Sequence, residues 1–127
     1  MARVTASTDD APTPAGAYSQ SARVGNVVWA SGQVGIDPAT GELAGADVQA
    51  QTRQALANVA AVLAASGAGL DDVVRVGVFL TTPDDFGAMN EAYGAFWGAD
   101  PPARTTVSVG LPGQLQVEID AMAVLAG

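Results

Sequence analysis

The chain has no cysteine, no histidine and no lysine. Without cysteine there is no disulfide, no thiol nucleophile and no thiolate metal ligand. Without histidine the commonest general base and the commonest metal ligand are both missing. Without lysine there is no internal Schiff-base chemistry and no covalent attachment of pyridoxal phosphate. Acid–base work falls to Asp, Glu, Tyr and ordered water. A metal site would have to be built from oxygens, and no EF-hand-like loop is present. Positive charge is scarce too: five arginines stand against thirteen acids, a net charge of −8. Nucleic acids and anionic membranes both need clustered cations, so neither is expected as a partner. No stretch of about 18 apolar residues suggests a transmembrane helix. The opening "MARVTASTDDAPTPAGAYSQ" lacks the apolar core of a signal peptide. The expectation is a soluble cytoplasmic protein.

What is present is mostly apolar. The 127 residues are 49% hydrophobic and 14% charged. That is enough for one domain with a sizeable core, with surplus that self-association could cover. No internal repeat or low-complexity tract divides the chain, so residues 1–127 are read as one domain. Residues 1–14, polar and carrying Pro12 and Pro14, are expected to form a flexible arm.

"YSQSARV" and "VVWASGQVG" read as two strands joined by a Gly25-Asn26 hairpin turn. "IDPATGELAG" is a turn-rich connection. Asp47 is placed to cap a helix in which Val48, Leu56, Val59, Val62 and Leu63 recur at helical spacing, with Gly67 as its stop. "DDVVRVGVFLTT" is a long strand with Val74, Val76, Val78 and Leu80 on one face and Arg75, Gly77 and Phe79 on the other. Pro83 opens a second helix carrying Phe86, Met89, Asn90, Tyr93, Phe96 and Trp97. Strands over 104–110 and 115–124 close the chain. The order ββαβαββ predicts an α+β layer, two helices on one face of a mixed sheet. The other face is then bare, and partner subunits are expected to cover it.

Three pieces of sequence could carry chemistry. In "DPPARTTVSVG", Pro101-Pro102 fixes the chain ahead of Arg104. Alternation sets Arg104, Thr106 and Ser108 on one face. Arg104 reads either as a solvated strand-end arginine or as a receptor for a small carboxylate, which its planar fork can grip through two parallel hydrogen bonds. In "QLQVEIDAMAV", Glu118 points away from its apolar neighbours, either as a solvated acid or as a carboxylate that orients water. The turn around Leu111-Pro112-Gly113-Gln114 is expected to bring its strand back beside that of Arg104. In "VWASGQVG", Gly32 permits close approach and Ser31 can donate or accept, or both serve a tightly packed strand. Tyr93, Phe96 and Trp97 read as helix core.

Together, "GAYSQ", "VWASGQVGIDPATGEL", "QTRQALANVAAVLAASG", "VVRVGVFLTTPDDFGAMNEAYGAFWG" and "PPARTTVSVGLPGQLQVEIDAMAV" resemble the RidA (YjgF, UK114-type) family over about residues 16–124. The resemblance implies a chorismate-mutase-like fold, homotrimers with clefts between subunits, and no metal or cofactor. It implies hydrolysis of 2-aminoacrylate, 2-iminopropanoate and 2-iminobutanoate to 2-keto acids and ammonia, a damage-control reaction. In the family's pattern the arginine after Pro-Ala, here Arg104, holds the substrate carboxylate. The glutamate of Val-Glu-Ile, here Glu118, helps place water. Tyr18, Ser31, Gly32 and Asn90 fall on cleft positions, and Thr106 stands where many deaminating members have cysteine. Ala17 stands where many have proline. The alternative from another class is a non-catalytic member that binds small ligands or holds unfolded protein. Retention of Arg104 favours the enzyme.

Overall fold

The structure is a computed structural model and describes residues 1–126. Six strands, β1 (Val4–Ala6), β2 (Ser21–Val24), β3 (Val27–Val34), β4 (Val73–Leu80), β5 (Ala103–Ser108) and β6 (Val117–Val124), form one mixed sheet in the order β1-β2-β3-β6-β4-β5. Helices α1 (Val48–Ala65) and α2 (Phe86–Trp97) lie on one face. The local signals act as expected. Gly25 takes φ +59°, the left-handed value that a tight hairpin between β2 and β3 needs. Asp47 caps α1 by accepting from the Ala50 N–H at 2.8 Å, and Gly67 follows the helix with φ +87°.

Alternation along the central strands builds the core. Val117, Ile119, Ala121 and Ala123 of β6, Val76, Val78 and Leu80 of β4, and Val28 and Ala30 of β3 are buried under α1 and α2. Leu56, Val59, Val62 and Leu63 meet them from α1. Val74 does not share that face. The register of β4 against β6 slips between Val73 and Arg75, so Val73 is buried and Val74 is 43% exposed. The open face of the sheet carries Val27, Trp29, Val107 and Val124 as exposed apolar side chains.

Two further expectations are corrected. Residues 1–14 are not a loose arm: Val4–Ala6 adds a strand to the edge, pairing antiparallel with β2. The buried Gln20 side chain ties the rest. Its Oε1 accepts from Thr8 N–H at 2.6 Å, and its Nε2 donates to the carbonyls of Thr8, Ala11 and Pro12. A polar stretch is ordered because one buried amide satisfies its backbone.

The second correction concerns the last two strands, which do not form a hairpin. β5 pairs in parallel with β4, and β6 inserts on the other side of β4, between it and β3. Residues 109–116 pass around the end of β4. Val109 N–H donates to Leu80 C=O at 2.7 Å, and Thr81 N–H donates to Gln116 C=O at 3.2 Å. The buried Gln51 side chain of α1 holds this connection, donating to Gln114 C=O and accepting from Gln116 N–H. β6 supplies the most regularly buried apolar row, and a central position covers both its edges.

Candidate active site

The parallel register places Arg104 opposite Val76 of β4, so its side chain turns toward the helix face, beside α2. There Arg104 Nη1 donates to Asn90 Oδ1 at 2.8 Å. The guanidinium carbon lies 4.6 Å from the centre of the Tyr93 ring and 5.6 Å from that of Phe86. Phe86, Asn90 and Tyr93 recur at helical spacing on one side of α2, which is why one helix supplies all three contacts. Burial holds the Tyr93 phenol above its ordinary pKa, with the Arg104 charge pulling the other way, so every partner of Arg104 is neutral near pH 7. Among the described residues the one ion pair is Arg75–Asp120, and no carboxylate lies within 4 Å of Arg104. Thr106 shares this face, and its buried Oγ1 has no hydrogen-bond partner.

The second group lies on the open face. Ala30 of β3 is opposite Ala121, and Gln33 is opposite Ile119, so Ser31 and Gly32 together face Asp120 across a β-bulge. Ser31 N–H donates to Gln20 C=O at 3.0 Å, and its hydroxyl donates to Ser19 C=O at 2.6 Å. The bulge brings Gly32 over Glu118: a Cβ on Gly32 would lie 2.5 Å from Glu118 Oε2. Burial, reinforced by the neighbouring Asp120 charge, holds the Glu118 carboxyl above the usual glutamate range. Asp120 is itself placed by the Gly77 N–H at 3.1 Å and by Arg75 at 3.8 Å. Beside the bulge is a pocket of about 430 Å³ whose lining includes Tyr18, Ser19, Trp29 and Ser31. The Tyr18 loop is closed by Tyr18 N–H donating to Gly16 C=O at 3.0 Å and by Ala15 N–H donating to the Tyr18 hydroxyl at 3.2 Å.

The residues singled out from the sequence thus fall into two clusters. Arg104 meets Asn90 on the helix side of β5, and Thr106 lies on the same face. Glu118, Gly32, Ser31 and Tyr18 gather on the open face, two strands away. One chain does not bring Arg104 and Glu118 together. Tyr93, expected in the helix core, is buried but also forms the floor under Arg104. Its spacing from Asn90 was the signal that could have found it. Asp120 was also missed, although it shares a face with Glu118. Among the described residues no group of three or more acidic or other ligating side chains could hold a metal ion, and no helix is long and apolar enough to cross a membrane.

Comparison with known proteins defines the class. The family described as Endoribonuclease L-PSP matches residues 8–125. The chain belongs to this RidA/YjgF family. It is 45% identical to a RutC family protein of Pyrococcus horikoshii over 117 residues, covering 91% of this chain and 93% of that one. It is 42% identical to the 2-iminobutanoate/2-iminopropanoate deaminase of Escherichia coli strain K12, covering 94% of this chain and 96% of the relative. The crystal structure of E. coli TdcF with bound serine superposes with a TM-score of 0.91 at 38% identity, covering 97% of this chain and 98% of that one.

Proposed function

We propose that the protein hydrolyses reactive 2-imino and 2-enamino acids, such as 2-iminobutanoate, 2-iminopropanoate and its enamine 2-aminoacrylate, to 2-keto acids and ammonia. The observation that carries this reading is the set of partners around Arg104. In a chain of net charge −8, one guanidinium is held by three neutral side chains and has no acid beside it. Its remaining N–H donors suit the carboxylate common to all these substrates. Glu118 fits the second role. 2-Aminoacrylate reacts as its imine tautomer; water adds to the imine carbon while Glu118 accepts a water proton and passes it to the nitrogen, and the resulting carbinolamine forms its C=O as the C–N bond breaks and ammonia leaves. No metal or cofactor is called for. The 42% identity to a deaminase supports the same chemistry, and serine in TdcF is a ligand with a carboxylate of this kind.

The two clusters lie on opposite faces, and β5 and β6 are two strand spacings, about 10 Å, apart. A small imino acid needs both clusters at one place, so the reading includes an assembly of subunits, taken as the homotrimer that the family resemblance implies. Each cleft then combines the Arg104 cluster of one subunit with the Glu118 cluster of the next. The exposed Val27, Val107 and Val124 are the apolar surface that such an assembly would bury. The family's description names an endoribonuclease; five dispersed arginines and no lysine offer no basic groove for RNA.

The test is a coupled assay. A pyridoxal phosphate-dependent dehydratase generates 2-iminobutanoate or 2-aminoacrylate, and imine loss is followed with and without this protein. Acceleration that Arg104→Ala removes is the expected result. No acceleration over spontaneous hydrolysis overturns the enzyme reading in favour of a ligand-binding member.

A further inference from the structure

The pocket beside Ser31 combines a cation with a row of hydroxyls. It holds one guanidinium, Arg3, five hydroxyl residues, Thr5, Tyr18, Ser19, Ser21 and Ser31, and no Asp or Glu. Some of those hydroxyls are committed: Ser21 to Ser66 at 2.7 Å, and the Ser31 proton to Ser19 C=O. The Tyr18 hydroxyl only accepts, from Ala15 N–H, so its own proton is free to donate. Arg3 has no carboxylate within 4 Å among the described residues. Its place is defined. It directly precedes β1, whose Val4 and Thr5 pair with Arg23 and Ala22, and alternation sets Arg3 on the same side as Thr5. The pocket adjoins the Glu118 cluster, since Ser31 is next to Gly32 and a Cβ on Gly32 would lie 2.5 Å from Glu118 Oε2.

We infer that this pocket receives a second anionic group of the substrate, so that the protein favours imines of dicarboxylic amino acids, with Arg3 binding the distal carboxylate and the Tyr18 hydroxyl assisting. This rests on the hydrolytic reading above, in which Arg104 takes the carboxylate next to the imine carbon. A substrate ending in a methyl group, such as 2-iminobutanoate, gives Arg3 nothing to bind. A five-carbon imine such as 2-iminoglutarate presents a carboxylate at its far end, and the Trp29 ring at the pocket wall suits the methylenes between. No new bond chemistry is involved: the same addition of water and loss of ammonia occurs at the imine carbon.

The experiment compares kcat/KM for 2-iminoglutarate, made in place by an amino-acid oxidase acting on glutamate, with kcat/KM for 2-iminobutanoate made by a dehydratase. The expected ratio favours the diacid in the wild type. It falls about tenfold or more in Arg3→Gln and recovers in part in Arg3→Lys, since losing a charge-assisted hydrogen bond to carboxylate costs at least that much. Circular dichroism and thermal melting confirm that the variants fold, and calorimetric binding of 2-oxoglutarate against 2-oxobutanoate gives a second readout. If 2-iminobutanoate is hydrolysed but the ratio is the same in Arg3→Gln, the inference is overturned and the hydrolytic reading stands. If no imine is hydrolysed, that reading fails. Selective binding of 2-oxoglutarate that depends on Arg3 would then still support an anion pocket here, and equal binding by both proteins would overturn it.

Discussion

Arg104 and Asn90 are joined by a 2.8 Å hydrogen bond in which the guanidinium donates to an amide oxygen where a carboxylate would ordinarily be expected. An acid there would neutralise the cation and compete with any anionic ligand. An amide fixes one edge of the fork at no charge, and the Tyr93 ring stabilises its face. The arginine is therefore oriented while its charge stays available.

Arg104→Ala is expected to lower kcat/KM for imine hydrolysis by roughly 10²–10³-fold, and Arg104→Lys by about 30-fold or somewhat more, because lysine keeps the charge but not the two-point grip. Both should fold, since Arg104 lies outside the apolar core. Steady-state rates alongside thermal melting check this; full activity in Arg104→Ala would remove the residue from the mechanism.

Tyr93→Phe is expected to behave nearly as wild type, because the Tyr93 hydroxyl has no hydrogen-bond partner and the ring makes the contact to Arg104. Tyr93→Leu removes the ring face, worth about 0.5–2 kcal/mol, and should raise KM roughly 2- to 30-fold with a smaller effect on kcat. Equal damage in both variants would show that the hydroxyl carries the role instead.

Glu118 gives a pH prediction with a definite sign. Its pKa is raised, and in the proposed reaction its carboxylate is the working form, so activity should fall as pH drops through a value above the usual glutamate range. Asp120→Asn removes one cause and should move that limb to lower pH, with the burial effect remaining. Glu118→Gln should lose turnover more than product binding. Stability runs the other way: a raised folded-state pKa contributes stability below the unfolded value that is lost as pH rises through the folded one. Glu118→Gln should therefore melt higher than wild type near neutral pH, with the gain vanishing in acid. An unchanged limb in Asp120→Asn would show that the two carboxylates do not interact.

Gly32→Ala places a methyl carbon 2.5 Å from Glu118 Oε2. The end of a glutamate side chain can swing away, so little stability should be lost. The carboxylate is displaced by about an ångström, and turnover should fall by up to about 10²-fold. Wild-type turnover with an unchanged melting temperature would mean that Glu118 need not occupy this position.

Light scattering at micromolar concentration is expected to give three times the 12.6 kDa chain mass. Val107→Glu, on the open face, should shift the mass toward monomer and abolish hydrolysis, since Arg104 and Glu118 would no longer meet. A stable, fully active monomer would contradict the shared cleft.

Much of this molecule is legible in its sequence because short-range rules govern it. Alternation assigns the faces of β6 and most of β4, helical spacing identifies the buried side of α1, and Asp47 and Gly25 mark a cap and a turn through their own local geometry. The missing Cys, His and Lys limit the chemistry with no structure at all. Three features belong to tertiary structure. Residues 109–116 could close a hairpin or cross the end of β4, and only the gap between β3 and β4, with the Gln51 side chain from α1, selects the crossing. That choice separates Arg104 from Glu118. Residues 4–6 form a strand because the buried Gln20 amide, distant in sequence, satisfies their continuation. The bulge at Ser31-Gly32 sets glycine against Glu118 through a two-against-one register with β6, and a register belongs to a pair of strands, not to either sequence alone.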